Sequence, residues 1–460
     1  MQAVRVTSRF LSAGVVFVAL VVAVVGSLGA PLITAVAEQY DVSLAAAQWT
    51  LTIPLLSGAI ATPLLGRLGS GPRRRTVVLA TLALVVAGSL LTVIPLPFAL
   101  LLAGRAAQGA GLGLTALMMA TARDHLDEQR SAGTIALLAV ASTAGIGVGY
   151  PLAGLLTDLA GIRAAYGLGL AVTAAALIVA ALVLPPAPVR PASPIDVRGA
   201  VLLTIALLAL LVVISQTALW RDHPGLAATT LVVALLLLAA WVILEARTEE
   251  PLVDVRLLRQ PAVAAANLVM LTCGIGMYLL LSLITRYVQT PASAGYGFGL
   301  KTFQAGLVLV PFSLLGFAAG RVVPRFRERV GARTLLAAGT AVVLAAFPVF
   351  ALARSHLAGP VIAMSVLGFG VGMFFAAMPA VILAATPTAE TAGAMSVNQV
   401  VRSVGFSIGS ALGGLVLAAH TTAVFPRQSG YTAAAWIGAG TTAVTLLITT
   451  SARTTVRRTG

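Results

Sequence analysis

Long apolar runs separated by short polar stretches are the dominant pattern along this chain of 460 residues. A helix needs roughly 20 mostly apolar residues to cross the roughly 30 Å hydrocarbon core of a bilayer. The runs have this length, and they predict an all-α, polytopic membrane protein with fourteen spanning helices. The predicted spans lie near residues 10–37, 48–66, 76–95, 98–122, 132–158, 164–184, 198–219, 226–246, 261–287, 303–322, 333–353, 359–385, 391–418 and 431–451.

Two polar stretches divide these spans into three groups. Segment 185–194 is rich in proline, which is incompatible with a helix interior and favours an extended linker. A more charged stretch, 245–260, follows the eighth span. We therefore predict an N-terminal six-helix bundle over 1–184, linkers with two extra helices over 185–260, and a C-terminal six-helix bundle over 261–460. Two similar halves of this kind are typical of membrane transporters.

The composition excludes the other broad classes of protein. Apolar residues make up 59% of the chain and charged residues 9%, and the mean hydropathy is +1.01. Soluble domains carry about one quarter charged residues, so the chain is not a set of soluble domains. The apolar content is also too high for a disordered chain. The lipid bilayer is therefore the expected surrounding.

The distribution of charge predicts the orientation in the membrane. The chain has 29 Lys and Arg residues against 14 Asp and Glu residues, a formal net charge of +15. When the N-terminus is placed inside, most basic residues fall in the inner loops, as the positive-inside rule requires. Both termini are therefore predicted to be cytoplasmic. Because the basic residues are scattered between apolar runs rather than grouped in a groove, no nucleic acid partner is expected.

Motifs for catalysis or cofactor binding are missing from the sequence. There is no G-x-x-x-x-G-K-[ST] loop for nucleotides, no zinc pattern and no nucleophile elbow. The loops are also too short to hold a catalytic domain. We therefore expect a protein that is not an enzyme and has no metal or organic cofactor. A transporter built from two halves closes its own path, so we also expect a monomer that acts on a small-molecule substrate.

The fourth and fifth spans carry the most informative polar and glycine-rich patterns. Arg105 is costly inside a membrane unless it faces a cavity or a partner. Gln108 lies one turn away on the same helix face, which completes an R-x-x-Q-G pattern. The fifth span matches most of a second pattern, G-x-x-x-G-P-x-x-G-G, at Gly145, Gly149, Pro151 and Gly154.

These patterns resemble motifs of the drug antiporters in the major facilitator superfamily. With fourteen spans, the chain is similar to the fourteen-helix drug:proton antiporters, which are of the multidrug efflux type. The resemblance implies the major facilitator fold, alternating access between two halves, and export driven by the proton gradient. It also implies that Gly66, Arg67 and Arg74, in the loop motif after the second span, act in the conformational change together with the motif of the fifth span.

Two departures from the family pattern affect the expected proton coupling. The resemblance places one aspartate in the loop motif and another in the first span, where this chain has Ser70 and Val22. No acidic residue lies at mid-membrane, and arginine stays charged near pH 7. We hypothesise that Asp158 at an outer helix end, or secondarily Glu38, carries the coupling. The alternative is that both are ordinary solvated carboxylates.

Two arginines inside predicted spans suggest the charge of the substrate path. Arg105 and Arg402 would give a positive cavity, which favours anionic, zwitterionic or neutral substrates over lipophilic cations. In the alternative interpretation, each arginine only caps helix carbonyls between the bundles. The predicted substrate and coupling residues are Arg105, Gln108, Asn267, Asn398, Gln399, Arg402, Asp158 and Glu38. The predicted cavity residues are Gln48, Met373, Phe374 and Met378.

Structural roles compete with these functional ones. Buried amides commonly form hydrogen bonds between helices, and methionine and phenylalanine at helical spacing commonly just pack. The main functional expectation is proton-coupled efflux of drugs or small amphipathic molecules across the inner membrane of a bacterium. The alternatives are an uncoupled or endogenous-metabolite exporter for anionic or neutral substrates, or a non-transporting membrane sensor of the same fold.

Overall fold

The described part of the chain is helical, as the apolar pattern predicts. The computed structural model describes residues 2–28, 32–42, 44–47, 49–69, 71–186, 196–215, 217–249, 251–252, 255–256, 260–384, 386–421 and 425–451. The helices that precede the proline-rich linker are α1 (Gln2–Ser27), α2 (Ile33–Tyr40), α3 (Leu44–Ala47), α4 (Trp49–Leu68), α5 (Arg74–Val93), α6 (Phe98–Ala110), α7 (Leu114–His125), α8 (Glu128–Ala160) and α9 (Ile162–Val183).

The remaining helices follow the linker in two groups. The extra pair consists of α10 (Val197–Ser215) and α12 (Pro224–Arg247), joined by the short α11 (Thr217–Asp222). The C-terminal group consists of α13 (Pro261–Gln289), α14 (Thr302–Val330), α15 (Ala332–Ala353), α16 (Ala358–Leu383), α17 (Thr391–Ala419) and α18 (Gln428–Ser451).

Twelve helices in the described ranges are long and apolar enough to cross a membrane. The α6–α7 unit and helix α8 are the longest elements outside that set. Helices α6 and α7 are separated by a single 3-10 turn, Gly111–Gly113. Helix α8 has 33 residues and is about 50 Å long at 1.5 Å per residue.

Helix α8 of the N-terminal half also packs against the C-terminal half, because small residues allow close approach on two of its faces. A Cβ atom on Gly145 would lie 2.5 Å from Cβ of Ala23 in α1. On another face, a Cβ atom on Gly154 would lie 3.1 Å from Cα of Phe303 in α14. Pro151 shares the α14 face and packs against Gly306. The glycine-rich motif therefore joins the N-terminal half to the C-terminal half.

The two ends of the bundle are distinguished by their residues. The basic end is where α4 ends and α5 begins, with Arg67, Arg73, Arg74 and Arg75. The opposite end is where α8 ends and α9 begins. Helix α10 of the extra pair packs against α4 and α17, at the edge where the two halves meet, and α12 packs on α10.

Candidate functional site

A small central site lies between the two halves, within the bundle. Helices α7 and α8 of the N-terminal half and α13, α16 and α17 of the C-terminal half form its walls. About 10 Å³ of free space is left among the side chains, enough for roughly one water molecule. The lining residues are Met119, Ala139, Met270, Phe375, Met378, Pro379, Met395, Asn398, Gln399 and Arg402.

Arg402 is the charged group of the central site. Its guanidinium carbon lies 5.1 Å from the ring centroid of Phe375 and 5.9 Å from that of Phe406. Tyr278 stacks on Phe406 with ring centroids 5.0 Å apart. Cations over aromatic faces are stabilised by the ring quadrupole, and more strongly where water is excluded. The rings therefore help to hold a positive charge beside the central site.

The amides of the central site are ordered by a hydrogen bond between helices. Asn398 in α17 donates from Nδ2 to Oδ1 of Asn267 in α13, at 3.2 Å. Asn267 in turn donates to the carbonyl of Val263 at 3.0 Å. Asn267 thus positions Asn398 but does not line the site, whereas Gln399 lines it and is partly exposed.

The predicted cavity residues are placed in different surroundings. Met378 lines the central site. Met373 and Phe374 pack against Gly339 of α15, away from the site. Gln48 lies outside the described residues. The structure therefore brings together Met378, Asn398, Gln399 and Arg402.

Arg105 forms a separate, fully buried network inside the N-terminal half. Its Nε donates to the carbonyl oxygen of Thr50 at 2.8 Å, and its Nη1 donates to that of Val25 at 3.1 Å. Pro54 lies four residues after Thr50 in α4 and has no N–H, so the Thr50 carbonyl lacks its usual helical donor. Val25 is in the last turn of α1, where helices generally leave carbonyls without a donor of their own. Arg105 therefore donates hydrogen bonds to two backbone carbonyls at positions where a helix does not supply its usual donor.

Gln108 extends this network toward α5. Arg105 Nη1 donates to Oε1 of Gln108 at 2.6 Å, and Gln108 Nε2 donates to the hydroxyl of Ser89 at 3.0 Å. A Cβ atom on Gly109 would lie 2.6 Å from Cα of Pro54, so α6 and α4 touch closely at this level. The R-x-x-Q-G pattern is thus a polar cross-link among α1, α4, α5 and α6.

At the basic end, an ion pair holds the loop between α4 and α5. Arg74 donates from Nη1 to Oδ2 of Asp124 at 2.7 Å, and both side chains are buried. Arg74 also donates from Nε to the carbonyl of Gly69 at 2.8 Å. Ser70, where the family has its loop aspartate, lies outside the described residues. Asp124 of α7 supplies a carboxylate to this loop.

The same end carries hydrogen bonds between the halves. Arg123 of α7 donates to Oγ1 of Thr391 at 2.8 Å and to the carbonyls of Leu383 and Thr386 at 3.2 and 3.1 Å. These carbonyls lie at or just beyond the end of α16, where helical donors run out. Arg123 therefore connects the N-terminal half to the α16–α17 junction.

Helix α4 also touches the C-terminal half at the basic end. Gly66 packs directly against Ser396 of α17, whose hydroxyl donates to the carbonyls of Ala392 at 2.7 Å and Thr62 at 3.2 Å. Arg67 is partly buried beside this contact. A side chain at position 66 would separate α4 from α17.

At the opposite end, Glu38 and Asp158 border one opening of about 540 Å³. Both side chains are exposed. Burial raises the pKa of nearby Tyr40 above its usual value, and the positive charge of Arg163 opposes that shift. Two carboxylates thus border a wide opening that contains no residue of the central site.

Sequence reasoning missed several residues of these sites. Met119, Met270 and Phe375 line the central site but look like ordinary apolar span residues in the sequence. Asp124 and Arg123 sit at a predicted span end, where charges are normally solvated. The signal in the sequence that could have indicated their role is the presence of two charged residues in the last turn of an otherwise apolar helix.

Many membrane-length helices in the described part of the chain define an integral, multi-pass membrane protein, and the family it matches is one of transporters rather than enzymes. The chain is a member of the Major Facilitator Superfamily, whose family model matches residues 15–409. Multidrug and antibiotic resistance proteins are among its relatives.

Two relatives and one solved structure illustrate this membership. The chain is 31% identical over 304 residues to the cephamycin export protein CmcT of Amycolatopsis lactamdurans, across 65% of this chain and 61% of that protein. It is 28% identical over 382 residues to the multidrug resistance protein B homolog of Mycobacterium tuberculosis, across 80% of this chain and 68% of that protein. The crystal structure of the human organic anion transporter MFSD10 (TETRAN) superposes with a TM-score of 0.69 at 16% identity, covering 96% of this chain and 99% of that one, which shows the shared fold.

Proposed function

We propose that this chain is an exporter that moves small amphipathic molecules out of the cytoplasm by alternating access at the central site. The observation that carries the proposal is the composition of this site. One guanidinium over aromatic rings, two amides and four methionines meet between the halves. Flexible thioethers and aromatic rings suit varied apolar bodies, while the arginine and amides suit a polar headgroup. The relatives named for cephamycin export and multidrug resistance support the same interpretation.

The proposal includes a topology. With the interrupted unit α6–α7 and the long α8 added to the twelve apolar helices, the chain crosses the membrane fourteen times. The basic end then faces the cytoplasm under the positive-inside rule, together with both termini. The protein would work as a monomer in the inner membrane of a bacterium, in the branch of drug:proton antiporters.

The charge of Arg402 selects the proposed class of substrate. A cationic side chain in a site of low dielectric attracts anionic groups and repels lipophilic cations. None of the lining residues of the central site is acidic. We therefore propose anionic, zwitterionic or neutral amphipathic substrates.

The proposed coupling uses the opposite end. Val22, where the family has an aspartate in its first span, is buried against Gly111 and cannot take up a proton. Asp158, with Glu38 as the second candidate, borders the opening at the other end. In this proposal a proton from outside binds Asp158 as the halves rearrange.

The test is transport by purified protein in liposomes with an imposed pH gradient, using paired anionic and cationic fluorescent substrates. We expect gradient-driven movement of the anionic dye, its loss in Arg402→Gln, and its retention in the control Arg329→Ala, which is exposed at the basic end. Preference for the cationic dye would contradict the assigned substrate class. If Asp158→Asn leaves gradient-driven transport intact, the coupling assignment is lost while export stands.

A second candidate function is uncoupled export or exchange of an endogenous anionic or neutral metabolite. The observation that favours it is the exposure of both carboxylates at the opposite end, where neither lines the central site. In this case dye movement would follow its own concentration gradient and ignore the pH gradient.

A further inference from the structure

A second, larger cavity lies beside the central site and is unused by the proposed transport. This lateral cavity has a volume of about 650 Å³ and is lined by α10, α11 and α12 on one side and by α4, α13 and α17 on the other. Its volume falls within the range of ligand pockets, roughly 300–1,000 Å³. The extra helices therefore do not pack tightly on the two halves, and space is left between them.

The walls of the lateral cavity are hydrocarbon almost throughout. Leucine and valine side chains such as Leu203, Leu207, Val400 and Val404 form them, with a tryptophan toward each end. A site without polar partners does not hold ordered water, and a large empty apolar cavity is destabilising. Five of the six wall helices, all but the short α11, are of membrane length, so the available apolar occupant is the lipid around them.

The shape of the cavity fits one lipid chain lying along the helices. On α10 the lining runs from Leu203 to Ile214, which is about 17 Å at 1.5 Å per residue. One leaflet of the hydrocarbon core is about 15 Å deep, half of roughly 30 Å. Trp220 at one end donates its indole N–H to the carbonyl of Val213 at 2.8 Å. Trp241 at the other end donates to Oε1 of Glu245 at 3.1 Å, which leaves both indole rings as apolar walls.

Helix α17 separates this cavity from the central site. Val397 and Val401 line the lateral cavity, whereas their neighbours Asn398 and Arg402 line the central site. A fluid chain on the outer face of α17 would let that helix move without breaking tight side-chain packing against the extra pair.

We propose that the lateral cavity is a binding site for an acyl chain of a bilayer phospholipid, held between the extra helices and the two halves. The site stands whichever substrate the central site takes, and its occupancy is measured without transport. The extra pair then serves as the wall of a lipid site at the edge where the halves meet.

The test uses tryptophan quenching by phospholipids with brominated acyl chains. One protein keeps Trp241 through Trp49→Phe, Trp220→Phe and Trp436→Phe. Its matched control keeps Trp436 through Trp49→Phe, Trp220→Phe and Trp241→Phe. Trp241 is 8% exposed and Trp436 is 52% exposed, so bulk lipid reaches only the control residue directly. In detergent, we expect saturable quenching of Trp241 as brominated lipid is added, and gradual, unsaturable quenching of Trp436.

Filling the cavity should abolish the signal at Trp241. The larger side chain of Val400→Phe or of Leu203→Phe would enter the cavity from one of two opposite walls. Either variant alone is therefore a sufficient test if the other fails to fold. Leu236→Phe is the control, because Leu236 lies 64% exposed on the outer face of α12. Loss of saturable quenching in the filled variants but not in the control is the expected result. The proposal would be overturned if quenching persisted in both filled variants or if Trp241 were not quenched at all. It would also be overturned if an amphipathic dye, rather than unbrominated lipid, displaced the brominated lipid.

Discussion

The two arginines inside spanning helices have opposite surroundings. Arg105 is completely buried within the N-terminal half and donates to two backbone carbonyls and to Gln108. Arg402 is partly exposed, lies over two aromatic rings and lines the space between the halves. Sequence alone treats the two residues alike, as costly charges in a membrane.

The surroundings of the two arginines indicate two different roles, one as a cross-link between helices and one as a group that binds substrate. Donors that are used by fixed backbone acceptors cannot leave them for a ligand without orphaning those acceptors. A guanidinium over aromatic rings can keep its contacts with those rings when an anion approaches from the cavity side. We infer that Arg105 mainly holds helices together and that Arg402 mainly meets the substrate.

The largest expected effect on stability is for Arg105→Leu. We expect the free energy of unfolding to fall by about 2 kcal/mol, because each buried acceptor left without a donor costs about 1–3 kcal/mol and removal of a desolvated charge offsets part of this. Thermal unfolding in detergent would measure it. The control is Arg163→Leu, since Arg163 is exposed at the opposite end. A variant of normal stability that has lost transport would instead place Arg105 in the substrate path.

A smaller effect on stability is expected for Arg402→Leu. The lost contacts with Phe375 and Phe406 are worth about 0.5–1 kcal/mol each, and removal of a partly desolvated charge offsets some of that loss. Transport of an anionic substrate should nevertheless fall by about tenfold or more, which corresponds to about 1.4 kcal/mol of binding. Arg402→Lys, which keeps the charge, should retain part of the activity. Full transport in Arg402→Leu would remove the distinction between the two arginines.

The smallest effect is expected for Asn267→Leu. It removes the acceptor for Asn398, and hydrogen bonds between membrane helices are worth about 0.6 kcal/mol on average. Unfolding should be almost unchanged, while the apparent affinity for substrate should weaken, because Asn398 loses its fixed orientation. Concentration-dependent transport rates separate the two effects. The control, Ser365→Ala, removes a hydroxyl of α16 that donates only within its own helix, to Val361. An equal loss of affinity in both variants would argue against a positioning role.

The helices and the superfamily could be predicted from sequence because they depend on local patterns. Apolar runs of membrane length predict helices, and the spacing of Arg105 and Gln108 on one helix face anticipates their hydrogen bond. The partners of Arg74 and Arg123 depend on packing between distant segments, so no local pattern indicates them. The same holds for Phe375, which is one apolar residue among many until Arg402 lies over its ring.

Whether Arg105 can be replaced during evolution depends on the residue at position 54. While proline occupies position 54, the Thr50 carbonyl depends on a donor from another helix, and Arg105 supplies it. Pro54→Ala would restore a local N–H donor, and it should rescue part of the stability lost in Arg105→Leu. The two positions are therefore epistatic. A lineage that first replaced the proline could then replace the arginine with a smaller loss of stability. A lineage that lost the arginine first would pass through a less stable intermediate protein.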